Sequence, residues 1–367
     1  MSTNLERLSS HGVSIWLDDL SRTRLKSGDL ARLIAESQVT GVTTNPTIFA
    51  NAIAGADSYD AAVAELAGQG VEVDEAIESL TTTDVAEAAR LFRPIFDATD
   101  GDDGRVSIEV APPLAHDAEG TVASAKALWE RVGEPNTMIK IPATEAGLRA
   151  ISETIGAGIS VNVTLVFSLT RYRHVVEAFL QGLEKARAAG HDLSTIRSVA
   201  SVFVSRVDSE IDARLDALDD PAAAGLKGRA GIANCVLDHE IHSQLFTSER
   251  FRVLELAGAR PQRLLWASTG VKNPDYADTM YVSGLVAENT VNTMPEPTLE
   301  AFADHGEVTG EITASDYRAA DEVFDSLARL GIDYAEVMTV LEQQGLEKFD
   351  VSWTELQGTI RTALGRA

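Results

Sequence analysis

Lys140 stands between two isoleucines in Thr137-Met138-Ile139-Lys140-Ile141-Pro142, a segment that otherwise reads as fully buried strand. A buried ammonium is costly, so burial favours the neutral amine. A neutral amine attacks carbonyl carbon and forms a Schiff base. A lysine at a strand end can also snorkel to water or pair with a carboxylate, so Lys140 by itself decides nothing. Other short apolar stretches supply its company: Asp18 after Trp16-Leu17, Glu109 after Ser107-Ile108, Asn162 and Thr164 among valines, and Ser201 before Val202-Phe203. Any one of these can be a hydrogen-bonded core group. Two carboxylates, an amine and several amide and hydroxyl groups converging on one point are a poor way to stabilise a core. They suit a site that needs a nucleophile and proton-transfer groups.

Strands are needed to bring them together. Strand-like runs fall at 13–18, 41–45, 105–110, 137–142, 158–165, 198–204, 263–268 and 290–294, and helical patterns separate them. Helices are expected at 1–10, 29–36, 59–67, 73–80, 84–98 (with Pro94 kinking or shortening it), 119–132, 145–155 and 169–188. Several more fall within 207–257, a short one at 276–285, and everything after 297 reads helical. Strands alternating with helices, without hairpin signals, mean parallel strands and crossover helices. Eight such units predict an α/β fold closed as a (β/α)8 TIM barrel with additional helices. A doubly wound sheet is the alternative, but no Gly-x-Gly-x-x-Gly follows the first strand. Side chains alternate across a strand. Ile139 and Ile141 flank Lys140; Val161, Val163 and Leu165 alternate with Asn162 and Thr164; Ile108 and Val110 alternate with Ser107 and Glu109. The aliphatic face meets the helix ring. The polar face meets the barrel axis near the strands' C-terminal ends, where barrel enzymes place their chemistry. The chain 1–367 reads as one barrel domain, with 298–367 a helical extension packed outside it or over its mouth.

The formal net charge of −25 argues against a nucleic-acid or anionic-membrane partner. Any cations that meet an anionic substrate must therefore be local. One cysteine, Cys235, allows no internal disulfide and suits a reducing cytoplasm; its helical setting predicts packing. No signal peptide and no apolar run of about 18 residues is visible.

These residues resemble transaldolase, of the longer bacterial kind, a Schiff-base-forming relative of the class I aldolases. The resemblance is carried by Leu17-Asp18, Gly41-Val42-Thr43-Thr44-Asn45-Pro46, Ser107-Ile108-Glu109-Val110, Ile139-Lys140-Ile141-Pro142, Asn162-Val163-Thr164-Leu165-Val166-Phe167-Ser168 and Ser201-Val202-Phe203-Val204-Ser205-Arg206. They occur in the family's order across roughly 13–295. The resemblance implies a (β/α)8 barrel that transfers a dihydroxyacetone unit between sugar phosphates in the non-oxidative pentose phosphate pathway. It implies no cofactor, and a monomer or homodimer. Lys140 resembles the Schiff-base lysine, which would attack the C2 ketone of fructose 6-phosphate or sedoheptulose 7-phosphate. Glu109 resembles the acid/base that works through a water held with Thr164. Asp18 resembles the base that takes the C4 hydroxyl proton. Asn45, Asn162 and Ser201 resemble groups that hold the sugar hydroxyls, and Phe203 joins the substrate-binding set. Arg206 resembles the family's phosphate-binding arginine, and a guanidinium fork suits a phosphate. Shorter transaldolases carry a second arginine after the seventh strand. Here that stretch is Trp266-Ala267-Ser268-Thr269-Gly270-Val271-Lys272, so Lys272 substitutes as a point charge and Ser268 adds a hydroxyl.

Fructose-6-phosphate aldolases, which release dihydroxyacetone, typically carry glutamine at the place of Glu109 and tyrosine at that of Phe203. Glutamate and phenylalanine here favour transfer over free aldol cleavage. A catalytically silent sugar-phosphate-binding barrel would have lost the lysine or both acids. No metal is expected: His239 and His242 form an isolated pair, and Asp100-Gly101-Asp102-Asp103-Gly104 lacks the spaced glutamate of a calcium loop and reads as a turn. His174 reads as structural or exposed, and Asp216, Asp219 and Asp220 as a solvated helix end.

Overall fold

The computed structural model describes residues 3–366, so Met1 and Ser2 of the first expected helix, observed as Asn4–Ser10, lie outside the described residues. Eight strands pair in chain order: β1 (Val13–Leu17), β2 (Val39–Val42), β3 (Arg105–Glu109), β4 (Thr137–Pro142), β5 (Val161–Val166), β6 (Ser198–Phe203), β7 (Arg263–Ala267) and β8 (Thr290–Met294). All pairings are parallel, and β8 closes on β1. The fold is a (β/α)8 barrel. Its strands are rich in valine and isoleucine because both faces are covered, one by helices and one by the barrel interior. Ile139, Ile141, Val161 and Val163 are completely buried.

Register does the positioning. Glu109 lies opposite Lys140, Lys140 opposite Asn162, and Pro142 opposite Thr164. Acid, amine and amide therefore share one level of the barrel. Beneath them the interior is packed. The ring of Trp16 lies so close to Gly41 that a β-carbon there would sit 2.6 Å from it, so only glycine fits. Truncating a tryptophan in such a setting costs about 3–5 kcal/mol.

At the N-terminal end an ion-paired plug closes the barrel. Arg197 Nε donates to Asp102 at 2.6 Å, and Arg263 Nη1 lies 3.3 Å from Asp103. Asp103 also accepts from Trp16 Nε1 at 3.0 Å and from Ser14. The run 100–104 is thus a turn whose carboxylates are consumed by arginines. Among the described residues no group of three or more His, Cys, Asp or Glu could hold a metal ion.

The structure departs from the expected elements in five informative places. β2 ends at Val42 rather than at residue 45, because Asn45 caps the helix Pro46–Ile53 and Pro46 takes its first position. The segments 73–80 and 84–98 form one helix, Val73–Ala98. Thr81, Thr82 and Thr83 return their hydroxyls to carbonyls one turn back, and the helix continues through Pro94. An unanticipated short helix, Arg22–Ser27, precedes Asp29–Glu36. In β5 the alternation breaks at Leu165, whose φ is +57°, and the register with β6 slips there. The helix expected at 276–285 contracts to Met280–Ser283, and the tail holds Glu296–His305, Ala314–Arg329 and Tyr334–Arg366. No helix of the described residues is long and apolar enough to cross a membrane.

Candidate active site

Lys140 is 4% exposed, and its amine reaches the C-terminal end of the barrel. Nζ donates to the Thr44 carbonyl at 3.0 Å and lies 3.3 Å from Glu109 Oε2. The early end of β2 makes the first contact possible. Thr44 leaves the strand and hands its hydroxyl to the Ser107 carbonyl at 2.7 Å, which turns its own carbonyl toward the lysine. Burial pushes the Glu109 carboxyl up to about 7, against the opposing pull of Lys140. Glu109 can therefore hold or release a proton near neutral pH, as proton transfer to and from a carbinolamine requires.

Asp18 follows β1, and its Oδ1 accepts from Thr43 Oγ1 at 2.7 Å. Thr43 in turn contacts Thr293 Oγ1 at 2.7 Å. Burial raises Asp18 above the usual carboxylate range, while Lys140, Thr43 and Lys272 pull it down. Both expected carboxylates thus sense the lysine. Asn162 and Ser201 are buried together: Ser201 Oγ donates to Asn162 Oδ1 at 2.7 Å, and Asn162 Nδ2 donates to Ser107 Oγ at 3.0 Å. This chain fixes the amide and leaves it one N–H to offer. Thr164 Oγ1 and Glu109 Oε2 are buried without a hydrogen-bond partner. Two unsatisfied polar atoms on β3 and β5, flanking the lysine strand and facing one interior, mark a place where something else bonds. Asn45 spends Oδ1 on its helix cap, accepting from Ile48 N–H at 2.9 Å, and keeps its amide N–H groups. Asn45 and Glu109 also line a cavity of 300 Å³ together with Thr44, Trp353, Leu356 and Gln357.

The expected phosphate end lies past β6 and β7. Arg206 is half-buried, with its guanidinium 5.1 Å from the centre of the Phe203 ring. Phe203 packs on Phe167 with ring centres 5.2 Å apart, so its part is to shelve the arginine. Ser268, with φ at +56°, faces Ser205 Oγ at 2.9 Å. Lys272 is exposed beside Gly270 and acts on Asp18 through charge. The structure thus gathers Lys140, Glu109, Asp18, Thr164, Asn162 and Ser201 around the barrel axis. It sets Arg206, Ser268 and Lys272 on the adjoining rim.

Sequence reasoning placed the tail outside the barrel or over its mouth but named none of its residues as part of the site. The C-terminal helix, Tyr334–Arg366, crosses the barrel mouth. The buried Phe349 ring centre lies 5.8 Å from Lys140 Nζ. A β-carbon on Gly345 would meet Leu165 Cδ2 at 3.0 Å and Arg206 Nη1 at 3.6 Å. The bulge at Leu165 explains that contact: it turns a side chain expected on the helix ring toward the mouth. Ser352 Oγ and Thr47 Oγ1, 2.7 Å apart, tie the helix down on the β2 side. Thr43 and Thr44 were visible as neighbours of Asn45, but nothing local marked their roles. The histidine pair is accounted for without a metal: His242 Nε2 meets the Gln262 carbonyl at 2.8 Å and His239 Nδ1 meets Tyr317 Oη at 2.9 Å. Cys235 is fully buried and unpaired.

Comparison with known proteins agrees with this geometry. Residues 15–360 match the family described as Transaldolase/Fructose-6-phosphate aldolase. The chain is 57% identical over 366 residues to a protein named Transaldolase 2 in Streptomyces avermitilis, covering all of this chain and 98% of that one. It is 58% identical over 367 residues to a Transaldolase of Renibacterium salmoninarum, again over the full chain and 98% of the relative. It is 57% identical over 353 residues to a Transaldolase of Mycolicibacterium smegmatis, covering 96% and 95%. On the extent of that match and the barrel that carries it, the chain belongs to the transaldolase/fructose-6-phosphate aldolase family.

Proposed function

We propose that this chain is a transaldolase that moves a dihydroxyacetone unit from sedoheptulose 7-phosphate or fructose 6-phosphate to an aldose phosphate. The observation that carries the reading is the position of Lys140 Nζ, 3.3 Å from the Glu109 carboxylate at the C-terminal end of the barrel. The Lys140 amine adds to C2 of the ketose, forming a C–N bond and a carbinolamine. Glu109, acting with a water at Thr164, protonates the C2 hydroxyl, which leaves as water, and an iminium remains. Asp18 takes the proton from the C4 hydroxyl. The C3–C4 bond breaks, its electrons enter the iminium, and an enamine and an aldose phosphate result. Asn45, Asn162 and Ser201 hold the three-carbon enamine by its hydroxyls, and the Phe349 roof sheds water from it. The acceptor aldehyde then forms a new C–C bond, and hydrolysis of the iminium frees Lys140. Arg206, Ser268 and Lys272 take the terminal phosphate. The chemistry asks for no cofactor and no metal.

On this reading 1–367 is one barrel domain with 298–367 an extension on it, working in the cytoplasm as a monomer or homodimer. The test is borohydride trapping with fructose 6-phosphate. A stable adduct on Lys140 is expected, and labelling elsewhere or nowhere overturns the reading. Adding erythrose 4-phosphate separates transfer from aldol cleavage. Turnover should depend on the acceptor, whereas a free aldolase would release dihydroxyacetone without it.

A further inference from the structure

The roof helix brings a charge to the site as well as a ring. Gly345 rests against Leu165 and Arg206, with its would-be β-carbon 3.6 Å from Arg206 Nη1. Phe349, one turn further on, sits 5.8 Å from Lys140 Nζ. Lys348 precedes Phe349 and follows Gly345 by three positions, so it projects along the helix flank shared with Gly345. Desolvation, and after it the positive charges of Arg206 and Lys272, push it below the usual lysine range. Lys272, on the rim after β7, is in turn close enough to act on Asp18. The contact of Gly345 with Arg206 sets the helix turn that carries Lys348 beside the arginine, and the charge effects on Lys348 and on Asp18 add Lys272 as a third cation within range. Among the described residues none of them makes an ion pair with a carboxylate, in a chain with 56 acidic and 31 basic side chains. Cations held close without an acid repel one another, and the gathering is stabilised only when an anion joins it.

We propose that Lys348, delivered by the C-terminal helix, is a binding residue for the phosphate monoester of the sugar substrate, completing with Arg206 and Lys272 a three-cation subsite. The proposal rests on the transaldolase reading and adds a substrate contact from a part of the chain outside the barrel. Lys272 and Lys348 are exposed while Arg206 is half-buried on Phe203. The arginine is therefore the preorganised fork, and the two lysines close on the dianion as point charges. Because Lys348 shares a helix turn with Phe349, phosphate binding also pins the ring over the Schiff-base lysine.

The experiment compares the full-length wild type with Lys348→Ala, Lys348→Arg and, as a charge-matched control, the exposed Lys126→Ala. Three readouts are taken: KM and kcat for fructose 6-phosphate with erythrose 4-phosphate, competitive inhibition by inorganic phosphate, and borohydride trapping with unphosphorylated dihydroxyacetone. Loss of one charged contact predicts a KM for Lys348→Ala raised about tenfold or more, with inhibition by phosphate weakened in parallel. kcat should change much less than KM, Lys348→Arg should recover most of the loss, and dihydroxyacetone should still label Lys140. Two results overturn the assignment: KM and phosphate inhibition within about twofold of the Lys126→Ala control, or loss of dihydroxyacetone labelling, which would mean the change had unseated the roof. Absence of fructose 6-phosphate labelling in the wild type would instead sink the transaldolase reading and Lys348's role with it, so the two failures are told apart.

Discussion

The two ends of this barrel treat charge in opposite ways. At the N-terminal end Arg197 and Arg263 meet Asp102 and Asp103, and Asp103 also takes hydrogen bonds from Ser14 and Trp16. At the C-terminal end Thr164 Oγ1 is buried without a hydrogen-bond partner, Glu109 Oε2 has only the charge of Lys140 Nζ at 3.3 Å, and among the described residues Arg206, Lys272 and Lys348 form no ion pair with an acid. The same eight strands support both ends. What differs is whether each polar group finds its partner within the chain or waits for one from outside. A satisfied network stabilises, whereas an unsatisfied one costs stability and is retained where binding or catalysis completes it.

The sharpest way to break this contrast is at Lys140. Lys140→Arg keeps a long basic side chain near Glu109 but cannot form an imine. Turnover should fall by about 10⁴-fold or more while the far-ultraviolet circular dichroism spectrum stays native. Retained activity would show that the open end is not built around an amine. Next comes Glu109. Its folded-state value of about 7 lies above the ordinary 4.5, so the native state binds this proton more tightly than the unfolded chain does. Two consequences follow from the sign. Stability contributed by the protonated form is lost as the pH climbs from about 4.5 to about 7. The rate of imine formation, which needs the acid, should fall as the pH climbs through about 7. Glu109→Gln should slow imine formation by about 10²–10⁴-fold and remove that limb of the profile. A limb that persists in the variant would assign it to another group.

The closed end predicts the reverse pattern. Asp103→Ala leaves Arg263 with backbone and hydroxyl acceptors but no carboxylate, and removes the acceptor of Trp16 and Ser14, all in a mostly buried setting. A loss of about 3 kcal/mol in stability is expected, read by denaturant unfolding, with kcat within a few-fold of wild type. If Asp103→Ala damaged kcat more than stability, the division between the two ends would fail.

How much of this was legible beforehand follows from the range of the interactions. Strand identity, parallel pairing and the inward set of Asp18, Glu109, Lys140, Asn162 and Ser201 come from a period of two and from valine and isoleucine runs, which are local signals. The early exit of β2 was misread because Thr43 and Thr44 suit a strand, while the capping amide of Asn45 and the first-turn proline decide for a helix. The break at Leu165 needs a positive φ that no leucine advertises. Phe349 and Lys348 were invisible as site residues. In a 33-residue helix, one ring and one lysine look like any others until the helix is laid across a mouth built from residues far earlier in the chain.

Gly345 offers the smallest and most discriminating test of that roof. A glycine inside a helix is unfavourable by about 1 kcal/mol relative to alanine. Gly345→Ala should therefore gain stability if only the helix mattered. Its β-carbon would arrive 3.0 Å from Leu165 Cδ2 and 3.6 Å from Arg206 Nη1, so side chain or helix must shift by a few tenths of an ångström. Overpacking of this kind costs about 1–3 kcal/mol when the surroundings are stiff. Leu165 is held at a backbone bulge and gives way poorly, so the two contributions should nearly cancel in the unfolding free energy. Function should not cancel. A roof lifted at Gly345 carries Lys348 and Phe349 with it, and KM for fructose 6-phosphate should rise about two- to threefold. A variant with raised stability and unaltered KM would mean that the helix lies over the mouth without being seated on it.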